Sequence, residues 1–553
     1  MKELFNSITK KEWRFVAMMA IIMIVITSLP YLVAYLMTPA DNVYDGVHAL
    51  SPGDIPVYYS YINQVKEGNF LVKDLFTAET QDPGTFNVWW FSVGILAKIF
   101  NLSVISAFQL SRLLMIPVFL FIAYLFISFF VRESVKRKVA FIFLLFSGGL
   151  GFYFAAGIDQ LNIPDSVYYS WPIDLWLTEA LTFNALYQSS HFIASLIFTF
   201  LIFLFILLSF ENKILAYAVI GGFLALIYFN FHPYYVPVIF GVAGLYLFIL
   251  MLQERKILWE QTGYLLLVFL ISLPSVIYHF WLVQNSPAIG QRALQNITEI
   301  SPLIFVLIGY GFLWLGLGLG LFFLLINKNL NNRLTFLLVW LVVNLFLIYS
   351  PFPFHSRYTQ GIHFILVIFT VLGLFSFWDY LKIKLRPKFF NFWIDNIFLW
   401  AVLFLFLFGT SVFYTLARDV YYFIQKPAEV ATSLYLPDDV LAGISWLEKQ
   451  PRPKLILASA LVSMFIPGFS GQTVYVAHAH ETLFFYSKII YLAYFFSDDQ
   501  NDDIKYQFLK QQNIDYVFYS DYEKKLGSFN PAEKNYLRLV FDSPQAQVYQ
   551  VVK

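Results

Sequence analysis

The 553-residue sequence has no cysteine. Disulfides, thiolate metal sites and cysteine nucleophiles are therefore excluded. Charge is scarce too: Asp, Glu, Lys and Arg make up 13% of residues, against about 25% in soluble domains. The net charge of +1 supplies no pull toward nucleic acid, and none is expected as a partner. The glycine-rich GFSG at 468–471 lacks the Gly-Lys-Ser/Thr that a phosphate loop requires. No internal repeat suggests a transporter built from two halves. The first apolar run, Phe15 to Met37, is too long for a cleavable signal peptide, and no small-residue cleavage site follows it.

What is abundant is apolar and aromatic. Hydrophobic residues make up 59%, aromatics 20%, and the mean hydropathy is +0.66. Crossing a bilayer takes roughly 20 apolar residues, and runs of that length recur through the first three quarters of the chain. They predict eleven spans, at 15–37, 107–131, 139–156, 192–210, 213–231, 235–252, 263–283, 303–326, 334–350, 361–378 and 393–416. Residues 86–100 are short and aromatic and read as an interfacial helix.

Basic residues orient these spans. Lys2, Lys10, Lys11 and Arg14 place the N-terminus in the cytoplasm, and Arg132, Lys136, Arg137 and Lys138 mark the next inner loop. Counting 86–100 as a span would turn every later basic loop outward. The expectation is a multi-pass plasma-membrane protein, mainly α, with a transmembrane domain over 1–417. Within it, 38–85 is the first outer loop. From 418 the chain becomes polar, and 418–553 reads as an extracytoplasmic α/β domain. Its predicted elements are a helix at 440–450, strands in KLILASA and QTVYVAH, a helix–strand pair in KYQFLKQQ and IDYVFYS, and a closing hairpin in LRLVFDS and AQVYQVVK.

Polar residues concentrate on the predicted outer side, among them Asp41, Asp45, Asp54, Glu79, Asp82, Asp159, Asp174, Glu179, His191, His232, Arg292, His355 and Arg357. Ionisable groups near a membrane point to function. Asp54 follows a Pro-Gly turn and opens a helix. Two readings stay open for it: a helix cap, or a general base that deprotonates an acceptor hydroxyl. Glu79 beyond that helix either aligns the site, binds a metal or is a solvated surface group.

The stretch from Asp54 to Phe91 resembles the first extracytoplasmic loop of GT-C glycosyltransferases, such as the protein O-mannosyltransferases and lipid A aminoarabinose transferases. Asp54, Tyr58 and the Gly68-Asn69-Phe70 turn match that loop in order, followed by Glu79, Pro83 and the aromatic run Phe86 to Phe91. The segment 100–114, with its Arg-Leu entry to the following span, is similar too. The chain departs from the family at Ile55, Thr80 and His191, where many members have a second carboxylate, a Lys and an Asp. The resemblance implies catalysis by Asp54 with Glu79, and an acceptor contact at Tyr58.

An outer Arg357 can grip phosphate through two parallel hydrogen bonds, or anchor the chain at the interface. His191, His232 and His355, each at a predicted outer junction, join it as candidate phosphate ligands. His478, His480 and Glu481 follow a strand and are assigned to acceptor contact or packing against the loops. A His-x-His-Glu run alone does not make a zinc site. The sequence requires no cofactor; a divalent cation at Asp54, Glu79 or His191 is an open reading.

Together these residues predict an inverting glycosyltransferase, a hexosyl- or pentosyltransferase. It would move a sugar from a polyprenyl-phosphate donor to a hydroxyl on a glycan, lipid or protein outside the cytoplasm, with membrane lipid as its surroundings. The alternatives are a non-catalytic GT-C-like scaffold or glycan export protein, and a secondary transporter.

Overall fold

The computed structural model describes residues 1–49, 53–158, 171–384, 403, 407–426, 434–497 and 501–552. The chain forms two compact units. The first comprises Met1–Ser28, Arg112–Ile277 and Ile297–Arg418; the second comprises Leu29–Ser111, Tyr278–Asn296 and Asp419–Lys553.

The first unit is helical because lipid offers the backbone no hydrogen-bond partners, so each spanning segment must satisfy its own. Among the described residues of the whole chain, seven helices are long and apolar enough to cross a membrane, including Lys10–Leu36, Val104–Phe130 and Ser190–Asn212. The predicted spans at 213–231 and 334–350 are the 17-residue helices Leu215–Phe231 and Asn332–Ile348. The predicted 303–326 span is instead two helices, Leu303–Tyr310 and Phe312–Ile326, bent by 74°. Gly311 makes the bend at φ +48°, where a Cβ would lie 2.8 Å from the Leu150 side chain. Apolar length alone does not register such a break. The 393–416 span and Asp159 fall largely or wholly outside the described residues. At the N-terminal end of the bundle, the buried Glu12 carboxylate accepts from Tyr124 at 2.7 Å and lies 3.5 Å from Arg137.

The second unit contains, among the described residues, a five-stranded sheet in the order β4-β3-β5-β7-β6. Its strands are β3 (Leu455–Leu457), β4 (Thr473–Val474), β5 (Tyr516–Ser520), β6 (Leu537–Asp542) and β7 (Ala546–Val551). β3 runs parallel to β4 and β5, while β6 and β7 form the expected antiparallel hairpin. A separate antiparallel pair joins β1 (Asn42–Tyr44) to β2 (Tyr435–Pro437). The predicted helices appear as Asp438–Glu448 and Asp502–Gln511. Residues 86–100 form the 12-residue helix Val88–Ile99, below spanning length. Asn87 caps it, accepting from the Trp89 and Trp90 N–H groups.

Val88–Ile99 packs on the helix Asp54–Lys66, and Gly94 permits their close approach. A Cβ at Gly94 would lie 2.4 Å from Val65 Cβ. Gly94→Ala should therefore lower the thermal unfolding midpoint, by an overpacking cost of about 1–3 kcal/mol. Val65→Ala in the same chain should recover part of that loss. Equal midpoints for wild type and Gly94→Ala would show that the two helices are not in contact.

Candidate functional site

In the second unit, the backbone places Asp54 at the first position of the helix Asp54–Lys66. The N-cap is Gly53, so the cap position predicted for Asp54 belongs to its neighbour. The Asp54 side chain is 35% exposed, and its Oδ1 lies 3.5 Å from His478 Nε2. His478 Nδ1 accepts the His480 backbone N–H at 3.2 Å. A backbone amide only donates, so the ring proton sits on Nε2 and faces the carboxylate. Burial disfavours the imidazolium. The hydrogen bond and charge of Asp54, with the carboxylates of Glu481 and Asp74, outweigh it and hold the His478 pKa above its ordinary value.

The turn that carries His478 is pinned to the first outer loop. Thr482 donates to the Phe76 carbonyl at 2.6 Å and accepts the Ala477 N–H at 3.0 Å. The Leu483 N–H reaches Thr77 Oγ1 at 3.1 Å. Arg292 bridges Glu481 at 2.8 Å and Asp74 at 3.4 Å. Burial pushes the Asp74 carboxyl up and the neighbouring Glu481 adds to this, against the pull of Arg292. Glu79 accepts from Thr77 and from Lys488 at 2.8 Å. Burial lowers the Lys488 pKa, and Glu79 opposes that shift. Tyr58 is stacked on Trp90 with ring centroids 4.7 Å apart. The His480 ring centroid is 5.8 Å from that of His478.

The sequence reading thus brought Asp54, His478, His480 and Glu481 into its candidate set, and the fold gathers them. It missed Asp74 and Lys488, the partners that complete the charges. An Asp in the apolar run Leu71–Phe76 and a Lys in an aromatic helix were the available signals. Among the described residues, no group of three or more His, Asp or Glu side chains is arranged to hold a metal ion. Asp54 faces His478, and Glu79 faces Lys488. Among the described residues, neither pairing leaves a set of ligands for the divalent-cation reading.

The first unit gathers the candidate phosphate ligands. His191 and His232 have ring centroids 5.4 Å apart, and His191 Nδ1 lies 2.9 Å from Ser189 Oγ. The Arg357 guanidinium sits 5.7 Å from the Phe192 ring centroid. Its backbone carbonyl accepts the Tyr235 hydroxyl at 2.6 Å. Arg357 is not the unpaired outer cation its sequence surroundings suggested. It is ion-paired with Glu179, whose side chain is 2% exposed. The two are 178 residues apart, which hides the pairing from local reading. His355 stands apart: its Nε2 bonds the Ser350 carbonyl at 2.8 Å and closes its own loop.

Because Glu179 is buried, Arg357→Ala should strand its carboxylate. The unfolding midpoint should fall by the equivalent of about 3–5 kcal/mol, the usual cost of halving a buried pair. Adding Glu179→Gln should recover most of that loss. An unchanged midpoint in Arg357→Ala would show that the pair is not formed.

No protein-family model and no curated protein matches this sequence. Solved structures do match it. The Archaeoglobus fulgidus oligosaccharyltransferase tethered to an acceptor peptide containing the NVT sequon aligns with a TM-score of 0.52 at 13% identity. That alignment covers 92% of this chain and 69% of the other. The apo form of the same protein aligns with a TM-score of 0.49 at 12% identity, over 91% and 69% of the two chains. The complex of AglB from this archaeon with an inhibitory peptide and a dolichol-phosphate gives 0.48 at 12% identity, over 90% and 69%. On the first of these likenesses, the chain shares the polytopic helical fold of the Archaeoglobus fulgidus oligosaccharyltransferase.

Proposed function

We propose that the chain is an inverting glycosyltransferase that takes a sugar from a polyprenyl-phosphate carrier and passes it to a hydroxyl acceptor on the extracytoplasmic face. The observation that carries this reading is Asp54. It is a partly exposed carboxylate on the first outer loop, facing His478, in a chain with a GT-C fold. A carboxylate so placed can take a proton from an acceptor hydroxyl and remain reachable by solvent-borne or lipid-borne acceptors.

In this reaction the acceptor oxygen bonds to the anomeric carbon as Asp54 receives its proton. The bond from that carbon to the phosphate oxygen breaks, and polyprenyl phosphate leaves with the electron pair. Attack opposite the leaving group inverts the anomeric configuration. Arg357, His191 and His232 are the first unit's candidates for holding a carrier phosphate, whose developing charge fixed donors would stabilise. Glu179 keeps the Arg357 side chain in place before the donor arrives. Asp74, Arg292 and Glu481 hold the loop around the base, Lys488 and Glu79 brace its far side, and Tyr58 and His480 belong to the acceptor's surroundings. The acceptor is a glycan, lipid or protein hydroxyl. The N-terminus is cytoplasmic, and residues 418–553 face the acceptor compartment.

Asp54→Asn keeps the size of the side chain and removes the base. With near-normal folding, it should reduce release of polyprenyl phosphate at least about a hundredfold, the low end of general-base effects. Unchanged turnover would move the base to another outer carboxylate. A reporter fused after residue 553 should be active only outside the cytoplasm. A cytoplasmic signal would overturn the orientation and the outer-face reaction with it.

A further inference from the structure

In the second unit, the side chain opposite Asp54 comes from the C-terminal segment, 424 positions away in sequence by subtraction of the two residue numbers. Nothing in the reaction requires an imidazole there, yet the surroundings fix its ring in detail. Nδ1 is occupied by the His480 N–H. The ring edge lies 3.5 Å from where a Cβ on Gly53 would stand, so the ring sits in ordinary contact distance of the helix cap. The side chain is 12% exposed. The His478 carbonyl accepts the Thr482 N–H at 2.8 Å, and Thr482 is itself bonded to Phe76. The imidazole has one polar edge left, and that edge faces Asp54.

The Asp54 side chain, at the first position of a helix, is one third exposed, and its hydrogen-bond partners decide which rotamer it takes. A base works only when the carboxylate oxygen lies within hydrogen-bond reach of the proton it abstracts, and an error of about 1 Å costs about a hundredfold in rate. A donor on one oxygen restricts the rotamers open to the carboxylate. At 3.5 Å the contact is at the outer edge of a hydrogen bond. Such contacts commonly tighten when substrate binds.

We propose that His478 is a positioning residue for Asp54: its Nε2–H holds Oδ1, so that the turn of the C-terminal segment sets the direction of the base. This rests on the reading of Asp54 as the base. It separates His478 from the acceptor-contacting group, because its one open edge is taken by the carboxylate. The length and rigidity of the turn Ala477–Thr482 then become part of the catalytic geometry.

The test is a double-mutant cycle on the purified full-length protein, reading release of polyprenyl phosphate from synthetic undecaprenyl-phosphate hexoses. His478→Ala should lower kcat by about 10- to 100-fold and leave KM for the donor unchanged. His478→Gln places an amide N–H near the position of Nε2–H and should recover most of the rate; His478→Asn is too short and should not. In an Asp54→Asn background, His478→Ala should cause no further loss, since a residue acting only through Asp54 has nothing left to act on. Unfolding midpoints of each variant separate misfolding from mispositioning.

Unchanged turnover in Asp54→Asn, or no release by wild type with any donor, overturns the base reading and this inference together. Three results overturn the inference alone. They are full activity in His478→Ala, equal losses in the Gln and Ala variants, and losses that add in the double variant. A rise in acceptor KM with kcat unchanged would return His478 to acceptor contact.

Discussion

The bridge from Arg292 to Asp74 and Glu481 is the interaction on which the placement of His478 beside Asp54 depends. It draws together three stretches of chain that are far apart in sequence, Leu29–Ser111, Tyr278–Asn296 and Asp419–Lys553. Asp74 is 5% exposed, and a buried carboxylate without a cation would be strongly destabilising, by about 3–5 kcal/mol for a pair broken from one side. Once Arg292 is seated, Glu481 is fixed. Three residues before it, His478 is then brought to the N-terminal end of the Asp54 helix. The Thr482 and Leu483 bonds to Phe76 and Thr77 complete the clamp. These are short-range, directional contacts in a unit whose hydrophobic clusters set shape but not the aim of a carboxylate.

The same logic of matched charge runs through the first unit. A guanidinium beside apolar spans has to meet an anion or reach water, and Arg357 meets Glu179. The pair presets the guanidinium while keeping the local net charge near zero. His191 and His232 lie beside it, with ring centroids 5.4 Å apart.

Much of the fold could be read from local sequence. Apolar length predicted Ser190–Asn212, and alternation predicted the β6–β7 hairpin, because both signals are properties of neighbouring residues. The Asp54 helix was legible from a Pro-Gly turn followed by apolar spacing. What escaped was everything decided by distant partners or by a single backbone angle. The Arg357–Glu179 and Arg292–Glu481 pairs span 178 and 189 positions, and nothing in either neighbourhood announces the other. Arg357 therefore looked unpaired. The bend at Gly311 rests on one positive φ inside a Gly-rich run, whose small residues fit a broken helix or close helix packing equally well. The cap at Gly53 was displaced by one residue from the expected Asp54, within the usual uncertainty of helix ends.

The proposed reaction is transfer of a sugar from a lipid phosphate with inversion. It is tested most directly by incubating the purified protein with a panel of polyprenyl-phosphate sugars and hydroxyl acceptors, and following both products. One donor should yield polyprenyl phosphate and glycosylated acceptor in equal amounts, with the anomeric configuration opposite to that of the donor. Retention of configuration, or no transfer with any donor in the panel, would contradict it.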